Sequence, residues 1–240
     1  MAKTAYQALK GLAREVCPPL LWRGLQRVKS AVAPFQQRFE GHPGHQDLEM
    51  YWNEEMAQVL ETWGDGNVWN EIQYLLWERS GRVLDIACGT GKTMQVLAKF
   101  PALDIHGIDI SDFLIRKAVE RGIAGERLKV GDATRLDYPD ASFAYSYSIG
   151  SLEHFTEEGL AGAVRECARV TARTAFHMVP TSRSGRDEGW MKTHQSFFNN
   201  SVDWWVAKYR LGFPAVQVLD SAWNDTYSVG KWFVCMKGPG

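Results

Sequence analysis

"VLDIACGTGKT", residues Val83 to Thr93, joins a β-branched run to a glycine turn, and its reading decides the fold. It ends in the letters of a triphosphate loop, G-x-x-x-x-G-K-[ST]. Counting back from Gly91-Lys92-Thr93, the first glycine of that pattern falls on Ile86, a β-branched strand residue. The triphosphate reading fails on geometry. A dinucleotide turn needs G-x-G-x-x-G, and here Met94 stands where the third glycine belongs. Asp85 lies just ahead of the turn, where a carboxylate would repel pyrophosphate more strongly as water is excluded. The same carboxylate suits a ligand carrying an ammonium or another cation.

Downstream, short β runs alternate with helical stretches. "LDIHGIDI" (103–110), "RLKVGDA" and "FAYSYSIG" (143–150) read as the next three strands, and "TAFHMVP" as a fifth. Ser111 and Thr156 stand where helix caps are expected. "PAVQVLDS" and "SVGKWFVCMK" follow with only a loop between them, which implies an antiparallel end to a mostly parallel, doubly wound sheet. Asp109 ends the second strand about twenty residues after Gly89, where such a fold places an acid that accepts both ribose hydroxyls. Asp132 ends the third strand and can reach the same ligand's adenine edge. Three acids at successive strand ends form a far more specific pattern than any one of them.

In order, "VLDIACGTGKTMQVLAKF", "HGIDIS" and "VGDATRLDYPDASFAYSYSIGSLEHF" resemble the class I S-adenosylmethionine-dependent methyltransferases, over roughly residues 80–240. The resemblance implies an α/β, Rossmann-like, doubly wound seven-stranded sheet with an antiparallel last strand, and S-adenosyl-L-methionine as cofactor. It implies that Asp85, Ala87, Cys88, Gly89 and Gly91 line the methionine half. By the same match Asp109 and Ile110 hold the ribose and adenine, Asp132 and Ala133 the adenine, and Ser148 and Ile149 follow at the fourth strand's end. Ala87 departs from the pattern, standing where many members carry the motif's first glycine. Ala144 departs too, where "FD" is usual before the fourth strand.

Transfer of a methyl group needs an aligned nucleophile, a dry site and, for an unactivated alcohol, a base. "GSLEHF" puts Glu153 and His154 beside the cleft, and histidine there resembles small-molecule members of the family. "HMVPTSRSGRDEGWMKTHQSFF" is long for a connection in a compact domain and adds His194 as a third proton acceptor. Its Arg183, Arg186 and Lys192, with Trp190 and His177, suggest an acceptor bearing phosphate, carboxylate or a nucleotide diphosphate. The competing reading is a solvated loop. Ten tryptophans fit a filled core or an aromatic-lined pocket, and residues 47–79, which read helical, would then form a lid turning Tyr51, Trp52 or Trp69 inward.

Residues 1–39 carry seven lysines and arginines against Glu15, with Leu9, Leu12, Val16, Leu21, Leu25 and Val28 at helical spacing around Pro18-Pro19. They read as two packed helices, or as a basic arm for peripheral membrane contact, a partner or a homodimer. "EGHPGHQDLEM" (40–50) reads as a hinge, with His42 and His45 as exposed histidines. Two parts follow: an N-terminal arm and lid, 1–79, and a cofactor-binding domain, 80–240. Lysines and arginines (27) balance aspartates and glutamates (28), which gives no global reason for a nucleic-acid partner. Cys17, Cys88, Cys167 and Cys235 form no CxxC pair, so no metal is expected, and free thiols with no secretory leader point to the cytoplasm.

The expected function is methylation of a small polar metabolite, first an oxygen on a saccharide or its phosphorylated or nucleotide-linked precursor in surface polysaccharide synthesis. A small-amine N-methyltransferase, an RNA or protein methyltransferase docking through the basic arm, and a cofactor-binding regulator are the alternatives. "SIGS" occupies the place where amino methylators of bases and glutamine carry an Asn-Pro-Pro-Tyr-type tetrapeptide.

Overall fold

Val83, Leu84, Asp85 and Ile86 are all buried, an unbroken run that suits a parallel strand covered on both faces. The computed structural model describes residues 48–193 and 195–238. The readings of residues 1–39, of Cys17, of His42 and His45 and of His194 lie outside the described residues. Strand β1 (Gly81–Ile86) pairs in parallel with β2 (Leu103–Asp109) on one side and β4 (Phe143–Ile149) on the other. The full order is β3-β2-β1-β4-β5-β9-β8, with β3 at Leu128–Val130 and β5 at Thr171–Ser182. Strand β9 (Ser228–Met236) runs antiparallel between β5 and β8 (Ala215–Asn224). The expected seven-stranded sheet with an antiparallel end is therefore present.

Alternate residues of β1 serve opposite faces. Leu84 and Ile86 join Ile108, Leu160, Val164 and Trp205 in one apolar cluster, while Val83 joins Ile105, Ile72, Leu97 and Trp232 in the other. Helices α5 (Glu157–Val170) and α6 (Val202–Tyr209) cover the first face. Helices α2 (Val68–Leu75), α3 (Lys92–Leu97) and α4 (Asp112–Glu120) cover the second. Ser111 caps α4 by accepting from the Leu114 amide at 3.2 Å, and Thr156 caps α5 by accepting from Gly159 at 3.1 Å.

The N-terminal stretch is more broken than its sequence reads. A 3₁₀ turn at Glu49–Trp52 leads to α1 (Glu54–Thr62), and Gly64–Asn67 interrupts the chain before α2. Side chains fasten these pieces to the sheet. Glu71 of α2 accepts from Ser221 Oγ (2.7 Å), the Ala222 amide (2.6 Å) and Trp232 Nε1 (2.6 Å). The long connection after β5 also holds a small hairpin, β6 (Trp190–Met191) with β7 (Phe197–Phe198), too short for any periodicity to announce. No described helix is long and apolar enough to cross a membrane.

Candidate active site

The chain runs outward from β1 through β2 to β3 and then returns to β4, so the strand order reverses between β1 and β4. A doubly wound sheet opens its ligand crevice at that point. A cavity of about 330 Å³ lies there. Its strand-end wall holds Asp85, Ala87, Cys88, Gly89, Asp109, Ile110, Asp132, Ala133 and Ile149.

The turn after β1 takes three left-handed residues, Ala87 (φ 58°), Gly89 (φ 53°) and Gly91 (φ 71°). Ala87 bears a cost of roughly 1–2 kcal/mol for a conformation that glycine adopts freely. Gly91 is buried and lies off the wall; any side chain there would run into Ile123 and Ala118. Its glycine serves packing of the turn against α4. The Gly89 amide donates to Asp109 Oδ2 (2.8 Å) and the Ser111 amide to Oδ1 (2.9 Å), which fixes this carboxylate at the end of β2.

Burial pushes the Asp109 carboxyl up, against the backbone donors that pull it down. Burial pushes Asp85 up much further; the Tyr147 hydroxyl, donating at 2.9 Å, opposes this, and the nearby Asp109 adds to it. Register places that partner, because Asp85 and Tyr147 are neighbours across β1 and β4. Asp132 is exposed and accepts from the Thr134 amide and hydroxyl, each at 2.8 Å. Ile110 presents an apolar side chain that stays 38% exposed at this wall.

Leu48, Tyr51, Leu60, Trp63 and Trp69 supply much of the opposite wall. Leu60 sits over Gly89, with a Cβ built there 3.1 Å from its Cδ1. Trp63 covers Gly150 (φ 63°), where an added Cβ would stand 2.8 Å from the indole. Trp63 meets Trp69 edge to face at 6.4 Å. Arg121 ties α1 to the turn: it pairs with Glu61 and donates to the Thr90 carbonyl (2.8 Å), while Thr90 Oγ1 donates to Glu61 (2.8 Å). Gln195, from the long connection, donates to the Tyr51 hydroxyl at 2.8 Å and completes the cavity with Ser151, Phe155 and Thr156.

Several expected site residues stand elsewhere. Trp52 points outward, 41% exposed, and donates to Asp112. Ser148 faces the other side of β4 from Tyr147 and Ile149 and bonds His177 Nδ1 (2.8 Å). His177 is fully buried, stacked on Tyr209 at 4.9 Å and held neutral, pushed down to about 3 by burial. Arg183 donates to the carbonyls of Asp225 and Ser228 at the β8–β9 turn. Arg186 is exposed, and Trp190 packs on Phe198 at 4.8 Å. None of them lines the cavity.

Glu153 and His154 fall in a 3₁₀ turn, Leu152–His154, that faces them inward between wall residues Ser151 and Phe155. His154 Nδ1 lies 2.8 Å from the Ser196 carbonyl, and burial lowers the ring to about 4, so it is neutral near pH 7. Glu153 is buried with Oε2 unpartnered, and burial raises it to about 8. Gln195, Leu60, Trp63, Lys92 and Phe155 are wall residues that sequence reasoning missed. Only Lys92, inside the glycine turn's own motif, carried a local signal.

Residues 83–174 match a family model described as a methyltransferase domain. The chain is 30% identical over 126 residues to 27-O-demethylrifamycin SV methyltransferase of Amycolatopsis mediterranei, spanning 50% of this chain and 45% of that protein. Further relatives are named as O-, N- and sterol C-methyltransferases, and the chain spans less than half the length of these curated relatives. Among solved structures, the PH0226 protein from Pyrococcus horikoshii OT3 superposes with a TM-score of 0.57 at 19% identity, covering 82% of this chain and 96% of that chain. Haemonchus contortus phosphoethanolamine N-methyltransferase 2 in complex with S-adenosyl-L-methionine gives 0.57 at 15% identity, over 71% and 53% of the two chains. At these identities the likeness is one of fold. Residues 83–174 match the methyltransferase-domain model, and they lie in a seven-stranded sheet with an antiparallel end whose fold these solved structures share.

Proposed function

We propose that the cavity takes S-adenosylmethionine and that this chain transfers its methyl group to a small polar acceptor. The meeting of Asp85, Asp109 and Asp132 on one wall carries the reading. Two buried carboxyls pushed up in the same cavity make a wall short of positive charge, and a ligand with an ammonium and a sulfonium complements it. Asp109, already aimed by two backbone donors, has lone pairs left for the ribose hydroxyls. Ile110 and Ala133 offer apolar surface to a flat base, and Asp132 accepts from its edge. Asp85 faces the ammonium end.

The bound cofactor supplies an electrophilic methyl group on a positively charged sulfur. The chain's own part is alignment and dryness, which contribute up to about 7–11 kcal/mol in well-oriented reactions. Residues 48–79 act as the lid of an N-terminal part that ends near residue 79, with Tyr51, Leu60 and Trp63 closing the cavity. Tyr51, Ser151 and Gln195 offer hydrogen bonds to an acceptor hydroxyl. His154 lies behind Ser151 and Phe155 as a neutral imidazole, which fits a positioning role better than direct contact.

An oxygen acceptor on a saccharide comes first, as in surface polysaccharide synthesis, and a small amine second. A phosphorylated or nucleotide-linked acceptor has less support, because Arg183 and Arg186 stand off the cavity. Transfer of tritiated methyl from S-adenosylmethionine to neutral sugars, sugar phosphates, nucleotide sugars and small amines tests this. Labelling of neutral sugars above the other pools is the expected result. Labelling confined to RNA or protein would contradict it.

A further inference from the structure

Among the described residues, the cavity wall carries three carboxylates and one ammonium, that of Lys92. Lys92 is half-buried at the start of α3, three positions after Gly89, and so stands at the turn end of the cavity. Its Nζ rests 5.3 Å from the centroid of the Trp69 ring. Trp69 is itself 4% exposed and braced edge to face by Trp63, so the indole is a fixed platform for the cation. No described acid forms an ion pair with Lys92. Glu61, on which the Lys92 charge acts, gives its carboxylate to Arg121 and to the Thr90 hydroxyl. Lys92 is thus a half-buried cation resting on an indole at a cavity whose acids lie at the strand ends.

We propose that Lys92 receives the carboxylate of the cofactor's amino-acid tail, with Trp69 holding the ammonium in place, while Asp85 takes the tail's own ammonium. This rests on the reading of the cavity as an S-adenosylmethionine site. The consequence is selectivity: Lys92 separates adenosyl ligands that keep the carboxylate from those that have lost it. A charge-assisted contact of this kind is worth about tenfold in affinity.

The test is calorimetric titration of the full chain with two probes, S-adenosylhomocysteine and its decarboxylated analogue, which keeps the ammonium. Wild type, Lys92→Met and Lys92→Arg are compared; methionine keeps an apolar stem against Trp69. Lys92→Met is expected to weaken S-adenosylhomocysteine about tenfold and the decarboxylated analogue less than about twofold, with Lys92→Arg retaining most of the affinity. An equal loss for both probes overturns the proposal and makes Lys92 a structural residue. Unchanged affinity of Lys92→Met for S-adenosylhomocysteine overturns it while the cofactor reading stands. Wild type that binds neither probe overturns both.

Discussion

One wall of the cavity is made of strand ends and the turn after β1; much of the other is made of the 3₁₀ turn Glu49–Trp52 and its flanks with helices α1 and α2, joined by Gln195 from a distant connection. The strand-end wall is held by sheet register and backbone donors. Asp85 lies beside Tyr147 across the β1–β4 pair, and Asp109 is gripped by the Gly89 and Ser111 amides. The opposite wall is held by side chains: Arg121 on Glu61 and Thr90, Glu71 on Trp232, and Gln195 on Tyr51. Backbone-held groups keep their places when one side chain changes. Side-chain-held ones do not, so the first wall is suited to fixed recognition and the second to opening and closing.

The sharpest way to break this contrast lies in the turn. Gly91→Leu combines a left-handed backbone with a collision at Ile123, and should cost about 3 kcal/mol or more in urea unfolding. A cost below about 1 kcal/mol would mean that the turn is not rigid.

Glu153, buried in the 3₁₀ turn behind wall residues Ser151 and Phe155, gives a pH signature. Its folded value is raised to about 8, so its favourable contribution is complete below the unfolded value and is lost as pH rises toward 8. The neutral isostere Glu153→Gln should therefore gain on wild type between pH 5 and pH 8, by about 3–4 kcal/mol and at no more than about 1.4 kcal/mol per pH unit. Parallel stability profiles for the two proteins would show that the carboxyl is not buried.

On the side-chain-held wall, Arg121→Met releases α1 from the turn and should cost about 1–2 kcal/mol in stability, with a larger loss of cofactor affinity than any surface arginine gives. Arg186→Met serves as that surface control. Tyr51→Phe is the smallest perturbation. It removes the hydroxyl that accepts from Gln195, and turnover should fall about threefold while the melting temperature stays within about 1 °C. A large change in melting temperature would place Tyr51 in the framework rather than in the closing wall.

What the sequence announces follows the same division. Asp85, Asp109 and Asp132 were legible because each closes a β run, and topology alone brings those ends together. The helix caps at Ser111 and Thr156 were legible from local chemistry. Gln195 and Trp63 were not, because nothing in a connection's composition tells which side chain returns to a cavity. Arg183 and His177 misled for the same reason. A guanidinium in a long loop can as well satisfy turn carbonyls, and a histidine on a central strand is as often packed inside. The 3₁₀ turn that carries Glu153 and His154 inward has no periodicity to betray it.

The central claim is that the strand-end acids bind the cofactor. Calorimetric titration with S-adenosylhomocysteine, wild type against Asp109→Ala, with circular dichroism to establish folding, tests it most directly. Micromolar binding by wild type and a loss of about a hundredfold in the folded variant is the predicted result. Equal affinity in the two proteins would contradict it.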